Sequence, residues 1–387
     1  MLRQLARHHE VHAVIFQDEA ELRRDKEGYQ LPDNVTLHSP IDKKPPKSLF
    51  DRLPRRIGPA LHYRWLRRSW SGPAEGTLLA CQHLLCRIVK EHAIDAVVFE
   101  HLQTMKAAPL LRRLSPASKL ILDAHNVDHL LFAAEMVKEG FQPSAAGLGL
   151  IRRTAWEECH LDRFVDAVWC CSEQDRQKLA TPSGIPGYLI PNGVDCSFFE
   201  YDDSMLKADS PYLLFSGAMQ TEANKDAVRW LIRDIWPRLL DRHPGLRLLL
   251  VGGGMPDELA AEAVKAPAVE VVGEVPDVRP YFRKASLALV PLRIGSGTRL
   301  KIMEAMAQGN PVVSTTKGAE GLDLRHGENI LLADAAESFA ALAADLLDDA
   351  ARFERIGRNA RGFVENRYNW DIIGHSATEA INEIISP

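Results

Sequence analysis

A glycine-rich turn leads into a helix within the segment 291–321, PLRIGSGTRLKIMEAMAQGNPVVSTTKGAEG, and that helix carries Arg299, Lys301 and Glu304. The arrangement suits an anion. A helix start offers unpaired N–H groups and a partial positive charge. Gly295 and Gly297, with Ser296 and Thr298 completing the turn, let the backbone approach a phosphate closely, while Arg299 and Lys301 add fixed positive charge. Glu304 lies more than one turn beyond Arg299, where a carboxylate can take the paired hydroxyls of a ribose. Taken alone, the same residues also suit a solvated surface helix behind a flexible turn.

A second group of candidates lies in the first half. The run LILDAHNVDH at 120–129 places Asp123, His125 and Asn126 just past an expected strand, where ligands of open α/β sheets collect. Histidine ordinarily titrates near neutrality, so His125 could donate to a hydroxyl or assist proton transfer. It could equally cap the strand end. Glu100 and His101 also follow an expected strand and form a further pair. The GGG run at 252–254 does not meet the GxGxxG pattern and has no acidic ribose partner in its unit, so a tight turn is expected there and a nicotinamide site is not. PNGVD at 191–195 reads as a turn in which Asn192 and Gly193 tolerate left-handed backbone.

These residues sit in an alternation of apolar runs and amphipathic helices. Strands are expected at 11–16, 95–99, 119–123, 167–171 and 187–190, after the end of a helix at 2–8. The pattern opens in mid-alternation, so the first half reads as a Rossmann-like unit that lacks its central first strand. The polar stretch 196–210 reads as a linker. Alternation resumes with strands at 212–217, 246–254, 269–273, 286–292 and 311–315 and helices at 226–240, 278–285 and 299–308. Near-continuous apolar runs of this kind fit parallel strands buried on both faces. The expected architecture is α/β with two facing Rossmann-like domains, 1–208 and 209–370, and a last helix within 371–387 that packs back across the junction.

Bulk properties bound the function. The 387 residues favour two domains, and 46% apolar with 26% charged residues fits a globular enzyme. A formal charge of -5 argues against a nucleic-acid partner. Six cysteines, Cys81, Cys86, Cys159, Cys170, Cys171 and Cys196, show no zinc-site spacing and read as buried reduced thiols of a cytoplasmic protein. No run reaches the length of a spanning helix. The stretch 43–70 carries nine Lys or Arg with Phe50, Tyr63, Trp65 and Trp70, and suits docking at the inner face of a membrane, a solvated face or a groove for an acidic acceptor.

The segment 291–321, together with PNGVD at 191–195 and the strand-turn FSGAM at 215–219, resembles glycosyltransferase family 4 across most of the chain. That resemblance implies the GT-B fold, a nucleoside-diphosphate sugar as co-substrate, transfer to a glycan or lipid-linked acceptor with retention of configuration, and no cofactor or metal. It assigns the ribose to Glu304, puts Ser296 where the family carries a first glutamate, and puts Met219 where an arginine follows the FSGAM turn. Gly217 of that turn and Asn224, with Lys225 beside it, join the donor-binding set. Arg299 and Lys301 take the diphosphate, as in a branch that reads GTRLK. Gly318 and Glu320 are expected near the donor phosphate or sugar, and His125 near the reaction centre. Glu100, His101, Asp123 and Asn126 fall on the acceptor side. Competing readings are a non-catalytic or impaired sugar-nucleotide-binding protein and a sugar-nucleotide epimerase on the same plan.

Overall fold

Parallel strands account for the apolar runs. The computed structural model describes residues 1–15, 31–38, 84–138, 144–201, 212–295 and 299–386. The basic stretch 43–70 and Ser296, Gly297 and Thr298 lie outside the described residues, as does most of the linker.

The chain divides into two compact units, Met1–Ile190 with Gly374–Pro387, and Pro191–Ile373. This moves the boundary expected at 208 back to Ile190, for a clear reason. Val194 bridges to Asn369, Arg361 donates to the Phe199 carbonyl at 2.9 Å, and Cys196 and Phe199 are buried in the second core. Polar neighbours hid that anchorage in the sequence. Gly193 is not left-handed as expected. It lacks a side chain because a Cβ there would lie 2.9 Å from the Trp370 ring and from the Tyr368 carbonyl.

In the first unit a parallel pair, β1 (Val11–Val14) and β2 (Val35–His38), accompanies a four-stranded parallel sheet in the order β3-β4-β5-β6. Those strands are Ala96–Glu100, Lys119–Ala124, Ala167–Cys170 and Gly187–Leu189. Leu120, Leu122 and Val168 fill the core, and β4 reads KLILDA because both faces of the sheet are covered. Ser172 caps the helix Glu173–Ser183 by accepting from the Asp175 N–H at 3.1 Å, and left-handed Gly184 ends it.

The second unit holds a six-stranded parallel sheet in the order β12-β11-β10-β7-β8-β9. Its strands are β7 (Tyr212–Ser216), β8 (Arg247–Val251), β9 (Val269–Gly273), β10 (Leu287–Val290), β11 (Val312–Ser314) and β12 (Leu331–Leu332). The chain winds outward from β7 through β8 to β9, then crosses back to β10 on the other side. This is doubly wound topology, and the switch point lies at the carboxyl ends of β7 and β10. The helix expected at 226–240 runs as Glu222–Trp230 and Trp236–Arg242, joined by a π-type turn at Leu231–Ile235. The wider turn fits Pro237, which has no N–H to give to a regular helix. The helices Asp257–Lys265, Ala336–Asp348 and Ala350–Arg367 are absent from the sequence reading; the second packs against Trp236–Arg242 and β11, and the third against Leu300–Ala307.

Candidate active site

Both sheets gather ionisable groups beyond their strand ends. In the first unit Glu100 ends β3 and is the register partner of Asp123 in β4, so the two carboxylates leave the same face. His125 follows β4, with its Nε2 2.8 Å from Glu100 Oε2. His101 has left-handed backbone (φ 66°), and its ring lies against that of His125 with centroids 4.3 Å apart. Asn126, half-buried, comes next along the loop. The candidates Glu100, His101, Asp123 and His125 are therefore brought together. Sequence reasoning missed Cys171, which interacts with His125. The signal lay in the strand register, since Ala124 pairs with Cys170.

Charge in this cluster is distributed unevenly. A hydrogen bond with the Cys171 side chain, and then one with Glu100, push His125 up to about 10. The same His125 bond holds Glu100 below the usual carboxylate range. Burial, with the Glu100 charge second, raises Asp123 to about 7. These contacts move His125 upward from the ordinary histidine range, toward its hydrogen-bond-donor form, and bring Asp123 close to neutrality. Glu100, Asp123 and His125 also place three ligand atoms within 4.8 Å of one another.

The linkage has a definite sign. Folded Asp123 keeps its proton to about pH 7, whereas an unfolded aspartate loses it near 3.8, so this group makes stability fall as pH rises between those values. Asp123→Asn removes that loss. The variant is expected to gain on the wild type across pH 4 to 7, by up to about 4 kcal/mol, and to keep a constant lead above pH 7. Denaturant melts at several pH values check this, and a pH-independent difference between the two proteins would contradict it.

In the second unit, Gly217 follows β7 and Asn224 lies in the first turn of the next helix, capped by Thr221. Lys301 Nζ donates to Asn224 Oδ1 at 2.7 Å, and Asn224 Nδ2 donates to the Ala218 carbonyl at 2.8 Å. The ammonium also stands over the Phe215 ring, 4.4 Å from its centroid. Burial, and then the Arg299 charge, push Lys301 down to about 7, while Glu304 acts the other way. Burial raises Glu304, with Lys301 opposing it. A Cβ on Gly217 would lie 2.7 Å from Lys301 Nζ, so only glycine leaves that ammonium its place.

Arg299 is 7% exposed and caps the helix Leu300–Ala307. Its Nη2 donates to the carbonyls of Gly295 at 3.2 Å and Lys317 at 3.1 Å, and stands 4.0 Å from Glu320 Oε2. Glu320 in turn pairs with Lys317, a residue that sequence reasoning missed although it lies just three residues beyond β11. Gly318 packs against the β11 end, where a Cβ would meet Ser314 Oγ at 2.4 Å. The structure thus joins Gly217, Asn224 and Lys301 in one group and Gly295, Arg299 and Glu320 in an adjoining one, at the switch point. Met219, at the position expected to carry a diphosphate-binding arginine, is fully buried in the core. Lys225 turns to Glu222 Oε1, 2.5 Å away.

With that geometry established, comparison with known proteins gives the family. The model described as Glycosyltransferase Family 4 matches residues 1–198, and that described as Glycosyl transferases group 1 matches 210–349. The chain belongs to glycosyltransferase family 4. Among curated relatives, the D-inositol 3-phosphate glycosyltransferase of Acidothermus cellulolyticus is 29% identical over 239 residues, 54% of this chain and 50% of that protein. The phosphatidyl-myo-inositol mannosyltransferase of Mycobacterium tuberculosis is 29% identical over 198 residues, 48% of this chain and 50% of that protein. The chain spans about half the length of the curated relatives it matches. Among solved structures, Anabaena HepE in complex with UDP and glucose superposes with a TM-score of 0.64 at 16% identity, covering 98% of this chain and 94% of its own. Sucrose-phosphate synthase of Thermosynechococcus elongatus gives 0.65 at 18% identity, covering 98% and 97%. These likenesses confirm an α/β fold with two Rossmann-like domains. Among the described residues no helix is long and apolar enough to cross a membrane.

Proposed function

We propose that this protein transfers a sugar from a nucleoside diphosphate to a glycan or lipid-linked acceptor, with retention of configuration and without a metal or cofactor taking part in the reaction. The observation that carries the reading is the cationic pair Arg299 and Lys301 at the switch point of the second sheet, one buried against two carbonyls and the other held by Asn224. Departure of a nucleoside diphosphate concentrates negative charge on its β-phosphate. The fixed charge of Arg299, the Lys301 amine that gains a proton beside a diphosphate, and the start of the helix Leu300–Ala307 answer that charge. Glu304 takes the ribose, and the turn 295–298 takes the phosphates, in the manner of the GTRLK branch. Asn224 orients Lys301, accepting from its ammonium and donating to the Ala218 carbonyl, and keeps a second N–H for the donor. On the acceptor side, His125 donates to a hydroxyl, while Asp123 receives the proton that an attacking hydroxyl gives up. We place the protein in the cytoplasm, at the inner face of a membrane through 43–70.

The test begins with thermal shift against UDP, GDP, ADP and their sugar conjugates. HepE was crystallised with UDP and with UDP-glucose, which makes UDP the first choice. A nucleotide present at a hundredfold excess over its Kd is expected to stabilise the fold by about 2.7 kcal/mol. Glu304→Ala should remove most of that shift at the same concentration. No shift with any nucleotide would overturn the donor assignment.

A further inference from the structure

Away from both clusters, the start of β1 gathers a third group of ionisable side chains. In the parallel pair, His12 is opposite Thr36 and Val14 opposite His38, so His12 and His38 project from one face. His12 Nδ1 and His38 Nε2 are 3.0 Å apart. On its other side, His12 Nε2 is 3.3 Å from Glu10 Oε1, and its ring centroid is 4.2 Å from that of His92. His92 stands at the end of the helical stretch 84–91, its N–H donating to the Ile88 carbonyl at 2.9 Å. Glu10, His12 and His92 each offer a ligand atom within 4.8 Å of the others. The His12 side chain is 7% exposed and that of Glu10 71%, so a closed inner ligand meets an open outer one.

We propose that Glu10, His12 and His92 form a binding site for a divalent late first-row cation, of which Zn2+ is the representative, with His38 as the residue that orients His12. Two imidazoles and one carboxylate, with water in the fourth position, are an established donor set for zinc. A ligating histidine ordinarily gives its second ring N–H to a partner that fixes tautomer and ring angle. The 3.0 Å contact places His38 to receive that proton from His12 Nδ1, which leaves the Nε2 lone pair facing Glu10 and His92. The site also answers a structural need. A two-stranded sheet is marginal by itself, and a cation shared by residues 10, 12 and 92 would clamp β1 to the element that leads into the four-stranded sheet.

The test is titration of the full chain with Zn2+ by calorimetry, and with Co2+ by visible absorption. One equivalent of Zn2+ is expected to bind and to raise the melting temperature. His12→Ala and His92→Ala should weaken that binding at least 100-fold, and His38→Ala about 10- to 100-fold. Glu10→Gln alters only an exposed carboxylate, so it tests the ligand without endangering the fold, and it too should weaken binding. His125→Ala should leave the affinity unchanged, which separates this site from the Glu100, Asp123 and His125 group. Zn2+ bound equally by wild type and by Glu10→Gln and His12→Ala, Zn2+ lost only in His125→Ala, or no saturable binding by wild type would each overturn the assignment.

Discussion

Replacing Arg299 with alanine is expected to lower kcat/KM for sugar transfer by about 100- to 1000-fold, equivalent to roughly 3–4 kcal/mol of transition-state stabilisation. The same change should cost the fold less, about 1–3 kcal/mol, because it strips a charged donor from the Gly295 and Lys317 carbonyls and leaves the core untouched. The two effects separate in the laboratory. Thermal melts report the fold, nucleotide calorimetry reports ground-state binding, and the loss should fall mainly in kcat. Arg299→Lys is expected to recover only part of the rate, since an ammonium cannot offer a phosphate the paired, coplanar N–H donors of a guanidinium. A folded Arg299→Ala protein that transfers sugar at the wild-type rate would remove the diphosphate role.

Gly252→Ala should be the most damaging single methyl in the second unit. A Cβ there would lie 1.9 Å from the Gly217 carbonyl oxygen, and the backbone sits at φ 139°, a region that L side chains rarely adopt. Neither strain can relax cheaply, because both partners are backbone at the ends of paired strands, β7 and β8. The expected loss is above about 3 kcal/mol. Any shift of Gly217 also disturbs Lys301, so nucleotide affinity should fall in whatever folded protein remains. Gly245→Ala supplies the control: nothing lies within 4 Å of its Cβ, and stability should hardly change. Equal denaturant midpoints for the two variants would show that the turn after β8 is looser than its geometry requires.

Much of this arrangement is legible in the amino-acid sequence, for reasons that particular residues make plain. Strands such as β4 and β8 announce themselves because both faces are covered, which leaves no polar alternation to confuse the reading. The helix Ala350–Arg367 buries Ile356, Gly357, Ala360 and Val364, an apolar stripe that its many charged residues masked in the sequence, and a Cβ on Gly357 would meet the Gly309 carbonyl at 2.6 Å. At the site, the helix after β10 can be read from spacing alone. The pairing of Lys301 with Asn224 cannot, since 77 residues separate them and only the crossover from β7 to β10 brings them together. The upward shift of His125 was equally hidden, because it depends on Cys171 and Glu100, which neighbouring strands supply.

The division of the chain has a consequence for how it is made. Residues 191–373 form one uninterrupted unit, while the first unit is completed only by Gly374–Pro387. On a ribosome, the inner unit has all its residues before the outer one does, even though the outer one begins first. Domains generally fold as they emerge. The first sheet must therefore wait, partly covered, through the synthesis of an entire second domain before Gly374 can set its backbone against the side chain of Gln4. A nascent chain halted near residue 373 would carry the whole second unit and an unfinished first one, so loss of the last few residues is a defect of the domain that was started first.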